Sequence, residues 1–162
     1  MPLCEGRALL NRHREVFRRF WAWSDQVEIE GMLGGRLQTV FGWQVHVGPN
    51  VNPRSLRNFP MQANGAEMMR LACCLTTECG ISVCAVVHDA LLIEASLDEI
   101  EPAVAQTQAA MWTASELVLP GFPLRTEAKM VRYPERYIDP RGAKMWETVQ
   151  SLLQDTTQEV PF

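Results

Sequence analysis

The order of apolar patterns predicts an α+β fold, an antiparallel sheet of two hairpins plus a closing strand with long helices packed on one face. Two observations carry that prediction. Along the chain the patterns run helix, hairpin, long helix, hairpin, helix, strand, helix. The second hairpin is marked by His88-Asp89 set between two β-rich arms, where residues that disfavour strand interiors imply a turn. With 162 residues, 47% of them apolar and 21% charged, the chain is the size of one domain with a real core.

From Ala8 to about Ile29, Leu9, Leu10, Val16, Phe17, Phe20, Trp21 and Val27 recur at three- and four-residue steps and predict an amphipathic helix. Gly31, Gly34 and Gly35 are expected to stop it. Arg36–Phe41 alternates as a strand, Gly42-Trp43 turns it, and Gln44–Val47 returns as a hairpin arm. After the loop Gly48–Pro53, a long helix is expected from Arg54 to about Cys79, with a kink or fresh start at Pro60 and a cap at Gly80. Ile81–Val87 and Ala90–Ala95 are the arms of the second hairpin.

Ser96 and Glu99 have the spacing of a capping box for a helix from Leu97 to about Leu117. Pro120-Gly121-Phe122-Pro123 ends it, and Leu124–Val131 reads as the closing strand. Tyr133–Tyr137 is irregular. Pro140 opens a last helix through Met145, Trp146, Val149, Leu152 and Leu153, and residues 155–162 read as a loose tail after a body of residues 1–154.

Composition narrows the function classes. No apolar stretch is long enough to span a membrane, and no signal-type segment follows Met1, so a cytoplasmic protein is expected. The cysteines are five, an odd number without a Cys-x-x-Cys pair; Cys73 and Cys74 in a helical pattern and Cys84 in a strand pattern read as buried apolar residues, and reduced thiols fit the cytosol. Cys79, Cys84 and His88 lack the spacing and fourth ligand of a zinc site. A net charge of −4 argues against a free-standing nucleic-acid binder, yet Arg7, Arg12, Arg14, Arg18 and Arg19 crowd the first helix, and acids dominate from Glu94 to Glu101.

Three constellations could carry chemistry. The carboxylate of Asp89, beside His88 at a hairpin tip, suits a divalent cation if a second carboxylate joins it; otherwise it is a turn residue. Arg54, Asn58 and Gln62 fall on one helix face, where Arg can grip a phosphate and Asn and Gln can reach minor-groove acceptors; the alternative is a solvated polar stripe. The Arg-rich first helix with Trp21 and Trp23 could contact nucleic acid, or be a charged surface over core tryptophans.

Taken together, Arg54-x3-Asn58-x-Pro60-x-Gln62 followed by Val87-His88-Asp89 resembles the C-terminal palm region of the family A, or DNA polymerase I-like, DNA polymerases. That family carries Arg-x3-Asn-x-Pro-x-Gln-Gly-Thr-Ala-Ala-Asp and then Val-His-Asp-Glu. Gly35–Gly42 is similar to the hairpin before the family's long helix, and Pro123–Met130 to its closing strand, so the resemblance runs from about Leu9 to Val149. It implies a polymerase palm-like fold and template-directed nucleotidyl transfer by two metal ions. Asp89 would be a magnesium ligand and His88 would lie against the primer end. Asn58 and Gln62 would track the nascent base pair, and Arg54 would hold template backbone.

The departures are as informative. Gly-Thr-Ala-Ala-Asp is replaced by Ala63-Asn64-Gly65-Ala66-Glu67, the glutamate after the metal-binding aspartate by Ala90, and the Arg-rich hairpin end by Trp43-Gln44-Val45. The family's first motif, with the other metal ligand, and its nucleotide-gripping fingers helix are expected before Met1. The implied partners are therefore a DNA primer–template and either an upstream polymerase fragment or a second copy. A non-catalytic DNA-binding or complex-forming protein that keeps the scaffold is the competing expectation.

Overall fold

The computed structural model describes residues 3–158, with side chains described for 4–154. It divides into two compact units, Met1–Thr126 and Glu127–Phe162. In the first unit the elements are α1 (Leu3–Val16), α2 (Arg18–Gly34), β1 (Arg36–Gln38), β2 (Gln44–His46), α3 (Pro53–Glu78), β3 (Ser82–Val87), β4 (Ala90–Glu94) and α4 (Ile100–Val118). The α+β class is as expected. Each hairpin is its own antiparallel two-stranded sheet, β1 with β2 and β3 with β4.

The first helix departs from expectation by breaking at Phe17, whose φ of −103° and ψ of 39° leave the helical range. Gly31 does not stop α2, whose last residue is Gly34. Gly31 is buried inside it, where a Cβ would come within 3.3 Å of Leu37 and Leu56 side-chain carbons, so its role is close approach. Gly35 is the stop, with φ of 67° and its N–H bonded to the Gly31 carbonyl.

Two packing centres hold the unit. Val27 of α2, Leu37 of β1 and Leu56 of α3 form a buried cluster, flanked by half-buried Val45, Val47, Val51 and Phe59. Arg57 fastens the same two helices: its guanidinium pairs with Asp25 at 2.5 Å and Glu28 at 2.6 Å and donates to Ser24 Oγ at 3.2 Å. The hydrogen bond to Asp25 raises its already high pKa further. Elsewhere α3 packs most extensively on α4. Most buried residues of these two helices are small, among them Ala72 and Thr76 on α3 and Ala103, Thr107, Ala110 and Ala114 on α4, which suits close packing of helix backbones.

Helix α3 begins at Asn52, whose side chain accepts from the Arg54 N–H at 3.0 Å, with Pro53 at the first position. It runs through Pro60 as one helix, so of the expected kink or fresh start the fresh start is absent. Helix α4 starts three residues later than expected, at Ile100. Ser96 and Glu99 bond each other side chain to side chain, at 2.9 Å, rather than closing a capping box on the backbone.

The expected strand at Leu124–Val131 is absent: those residues belong to no ladder among the described residues. The reason lies in α4. Ser115 Oγ accepts the Leu124 N–H at 2.9 Å, and Gln108 Nε2 donates to the Thr126 carbonyl at 3.0 Å. Side chains of α4 thus take backbone groups that a strand would have given to a neighbour.

In the second unit, the Lys129 ammonium lies 4.4 Å from the Tyr137 ring centre. Asp139 caps a short 3-10 helix, Pro140–Gly142, that leads into α5 (Ala143–Gln158). The Arg141 guanidinium and N–H hold the Asp139 carboxyl down to about 2. Helix α5 takes in residues 155–158, which the sequence assigns to a tail; 159–162 lie outside the described residues. Met145, Trp146, Val149, Leu152 and Leu153 make an apolar stripe on it, all of them exposed.

Candidate nucleic-acid interface

Val87 pairs with Ala90, so His88-Asp89 is a two-residue hairpin turn. His88 carries a φ of 51°, a conformation that such a turn demands and that most side chains resist. Alternation sets the arms: Val83, Ala85, Leu91 and Ile93 are half-buried, while Cys84, Val86 and Leu92 face out. Both turn residues are exposed.

The hairpin tip meets α3. A groove of about 490 Å³ is lined by Gln62, Gly65, Ala66 and Arg70 on the helix side, and by His88 and Asp89 at the tip. Gln62 and the His-Asp pair, expected from sequence to act together, thus share one groove. Asn58 and Arg54 do not line it. They are exposed on α3, about 6 and 12 Å further toward its start at a helix rise of about 1.5 Å per residue. Asp89 also borders a mostly apolar cavity of about 580 Å³ lined by Trp23, Met61, Met68, Met69 and Met111.

The residues that replace the family pattern have structural tasks that sequence reading missed. Asn64 accepts the Val40 N–H at 2.9 Å and donates to the Pro60 carbonyl at 2.7 Å. Glu67, only 4% exposed, accepts from Thr39 Oγ1 at 3.1 Å and pairs with Arg70 at 3.2 Å. Thr39 Oγ1 in turn accepts the Trp43 N–H at 2.9 Å. Asn64 and Glu67 therefore fasten the β1–β2 turn to α3. The available signal was a glutamate one turn after Ala63 on the long helix.

The Arg-rich helices depart from the expected charged surface over core tryptophans. Trp21 is half-buried and Trp23 is 40% exposed, so neither is in the core. Trp21 Nε1 donates to His13 Nδ1 at 3.0 Å, and Arg14 lies 4.4 Å from the Trp21 ring centre. These groups partner one another along the helices.

Among the described residues no three His, Cys, Asp or Glu side chains cluster as a metal site would need. Asp89 and His88 supply one carboxylate and one imidazole. Magnesium prefers several oxygen ligands, so the described residues do not by themselves fit that ion.

No family model matches the chain. It is 31% identical, over an alignment of 134 residues that takes in 74% of this chain, to a thermostable DNA polymerase I of Thermus thermophilus. By sequence, the chain is related to DNA polymerase I. The same protein from Thermus caldophilus gives 31% identity over 134 residues, and that from Thermus aquaticus 30% over 115 residues. The aligned part of the chain spans only 16% of the Thermus thermophilus and Thermus caldophilus polymerases and 14% of the Thermus aquaticus polymerase. Among the described residues of this polymerase-related chain, no helix is long and apolar enough to cross a membrane.

Proposed function

We propose that this chain is a palm-like portion of a DNA-directed DNA polymerase of family A, and that it binds a primer–template along α3 with the primer end at the β3–β4 tip. The observation that carries the reading is the shared groove of Gln62, His88 and Asp89. Arg54 would hold a template phosphate, and Asn58 and Gln62 would test the geometry of the last base pair through minor-groove acceptors common to correct pairs. Asp89 would contribute one carboxylate to a magnesium site completed from outside the described residues, on an upstream polymerase segment or a second copy. The chain by itself is expected to bind a primer–template without extending the primer. A cytoplasmic location belongs to the same proposal and rests on five free cysteines, four of them exposed.

Fluorescence anisotropy with a labelled primer–template tests the reading. Arg54→Ala should weaken binding about three- to tenfold for any sequence and lower the salt slope by about one. Gln62→Ala should reduce the preference for a paired over a mismatched primer end. Unchanged affinity and unchanged discrimination in both variants would remove the proposal. The second reading, a non-catalytic DNA-binding protein on the same scaffold, is favoured by Ala90 beside a lone exposed Asp89. In primer extension with a polypeptide supplying the other carboxylate, Asp89→Ala abolishes synthesis under the first reading; under the second there is no synthesis to lose.

A further inference from the structure

Glu67 raises a question that its structural task leaves open. One carboxylate oxygen is occupied by Thr39 and Arg70, but Oε2 is buried with no hydrogen-bond partner. An unpaired carboxylate oxygen inside a protein is costly unless something donates to it.

The surroundings say what that could be. Glu67 lines a slot of about 300 Å³ with Thr39, Trp43, Ala63, Ala66 and Arg70. The Trp43 indole is 61% exposed, and the Arg70 guanidinium lies 5.8 Å from its ring centre. The Ala63 and Ala66 methyl groups leave the wall apolar, so the slot offers a flat ring face, an apolar wall and one buried acceptor. Its exposed members are Trp43, Ala66 and Arg70, so the slot opens to solvent on that side. Ala66 and Arg70 also line the groove at the hairpin tip, so slot and groove adjoin along α3.

We propose that this slot takes an unpaired nucleobase bearing an exocyclic amino group, stacked on Trp43 and donating an N–H to Glu67 Oε2. The inference rests on the reading that the chain binds DNA, and names where a single-stranded part of that DNA is read. Stacking on an indole suits any base. The carboxylate discriminates, because it only accepts. Cytosine, adenine and guanine each present an amino group, and a carboxylate accepting from cytosine N4 is an established pairing. Thymine's ring N–H lies between two carbonyl oxygens that would face the carboxylate, so thymine is disfavoured. A guanidinium is the less suitable occupant, since Arg70 already neutralises Glu67 and a second cation would be brought beside it.

The test is binding of short oligo-dC, oligo-dA and oligo-dT to the full chain, followed by anisotropy, in the original protein and in Trp43→Ala and Glu67→Gln. Oligo-dC and oligo-dA should bind at least about fivefold more tightly than oligo-dT. Trp43→Ala, a change at an exposed side chain, should weaken binding to oligo-dC and oligo-dA about tenfold. In Glu67→Gln the amide oxygen keeps the Thr39 and Arg70 bonds and its NH2 replaces the free acceptor with a donor, so the preference should shift toward oligo-dT. A merely structural glutamate would change all three affinities together. Equal binding of all three homopolymers, no effect of Trp43→Ala, or displacement by an arginine-rich peptide but by no oligonucleotide would each overturn the proposal. If oligonucleotides bind without base preference, only the slot assignment falls. If no nucleic acid binds at all, the polymerase reading falls with it.

Discussion

Leu56→Ala should lower the unfolding free energy by about 3 kcal/mol, the middle of the range for truncating a buried leucine. Leu56 is 3% exposed and is the α3 member of the cluster with Val27 and Leu37. Its δ1 carbon, with Leu37 carbons, is also among the contacts that keep position 31 a glycine. The shortened side chain leaves a cavity that cannot collapse easily, because α2 and α3 are already clamped by Arg57 on the next residue. Urea denaturation followed by circular dichroism measures the loss. A change below about 1 kcal/mol would mean that this cluster is not the core of the first unit.

Arg57→Ala should be the second most damaging change, at about 2 kcal/mol. Three partners on α2, Ser24, Asp25 and Glu28, converge on this guanidinium. Removing it leaves two carboxylates close together without a cation. Breaking a fully buried pair costs about 3–5 kcal/mol, but the Asp25 and Glu28 side chains are 45% and 26% exposed and water can partly replace the lost bonds. Arg57→Lys should recover only part of the loss, since one ammonium cannot reproduce the fork that meets both carboxylates. The same denaturation measurement checks both variants, and full recovery by lysine would show that charge alone, without geometry, joins the helices.

Much of the fold was legible in local pattern. The two hairpins, the long helix and the ends marked by Gly35 and Gly80 follow from residue types that act within a few positions of themselves. The misses have a common origin in contacts between distant segments. A strand at Leu124–Val131 is a sound reading of its alternation, yet Ser115 and Gln108, on the preceding helix, claim its backbone. Gly31 looked like a stop because nothing nearby announces Leu37 and Leu56 pressing on it. Pro60 looked like a break, but α3 is held on both sides of it, by Leu56 and Arg57 before it and by Asn64, Glu67 and Ala72 after it.

The candidate site divides the same way. His88-Asp89 as a turn was readable from two residues that avoid strands, and helical spacing was enough to put Gln62 with Asn58 and Arg54 on one face. That the turn reaches Gln62 but not the other two depends on how the second hairpin lies against α3, which no local signal encodes. Glu67 and Trp43 were visible in the sequence only as departures from a family pattern. Their connection through the Thr39 hydroxyl is a tertiary fact.

The central claim is that a primer end lies in the groove between the hairpin tip and α3. A primer–template carrying a photoreactive base at the primer 3′ end, crosslinked to the chain and mapped by mass spectrometry, tests it most directly. The adducts should fall within residues 61–70 and 86–89, and Asp89→Asn should leave their position unchanged. Adducts confined to the Arg-rich helices α1 and α2, or to none of these segments, would contradict it.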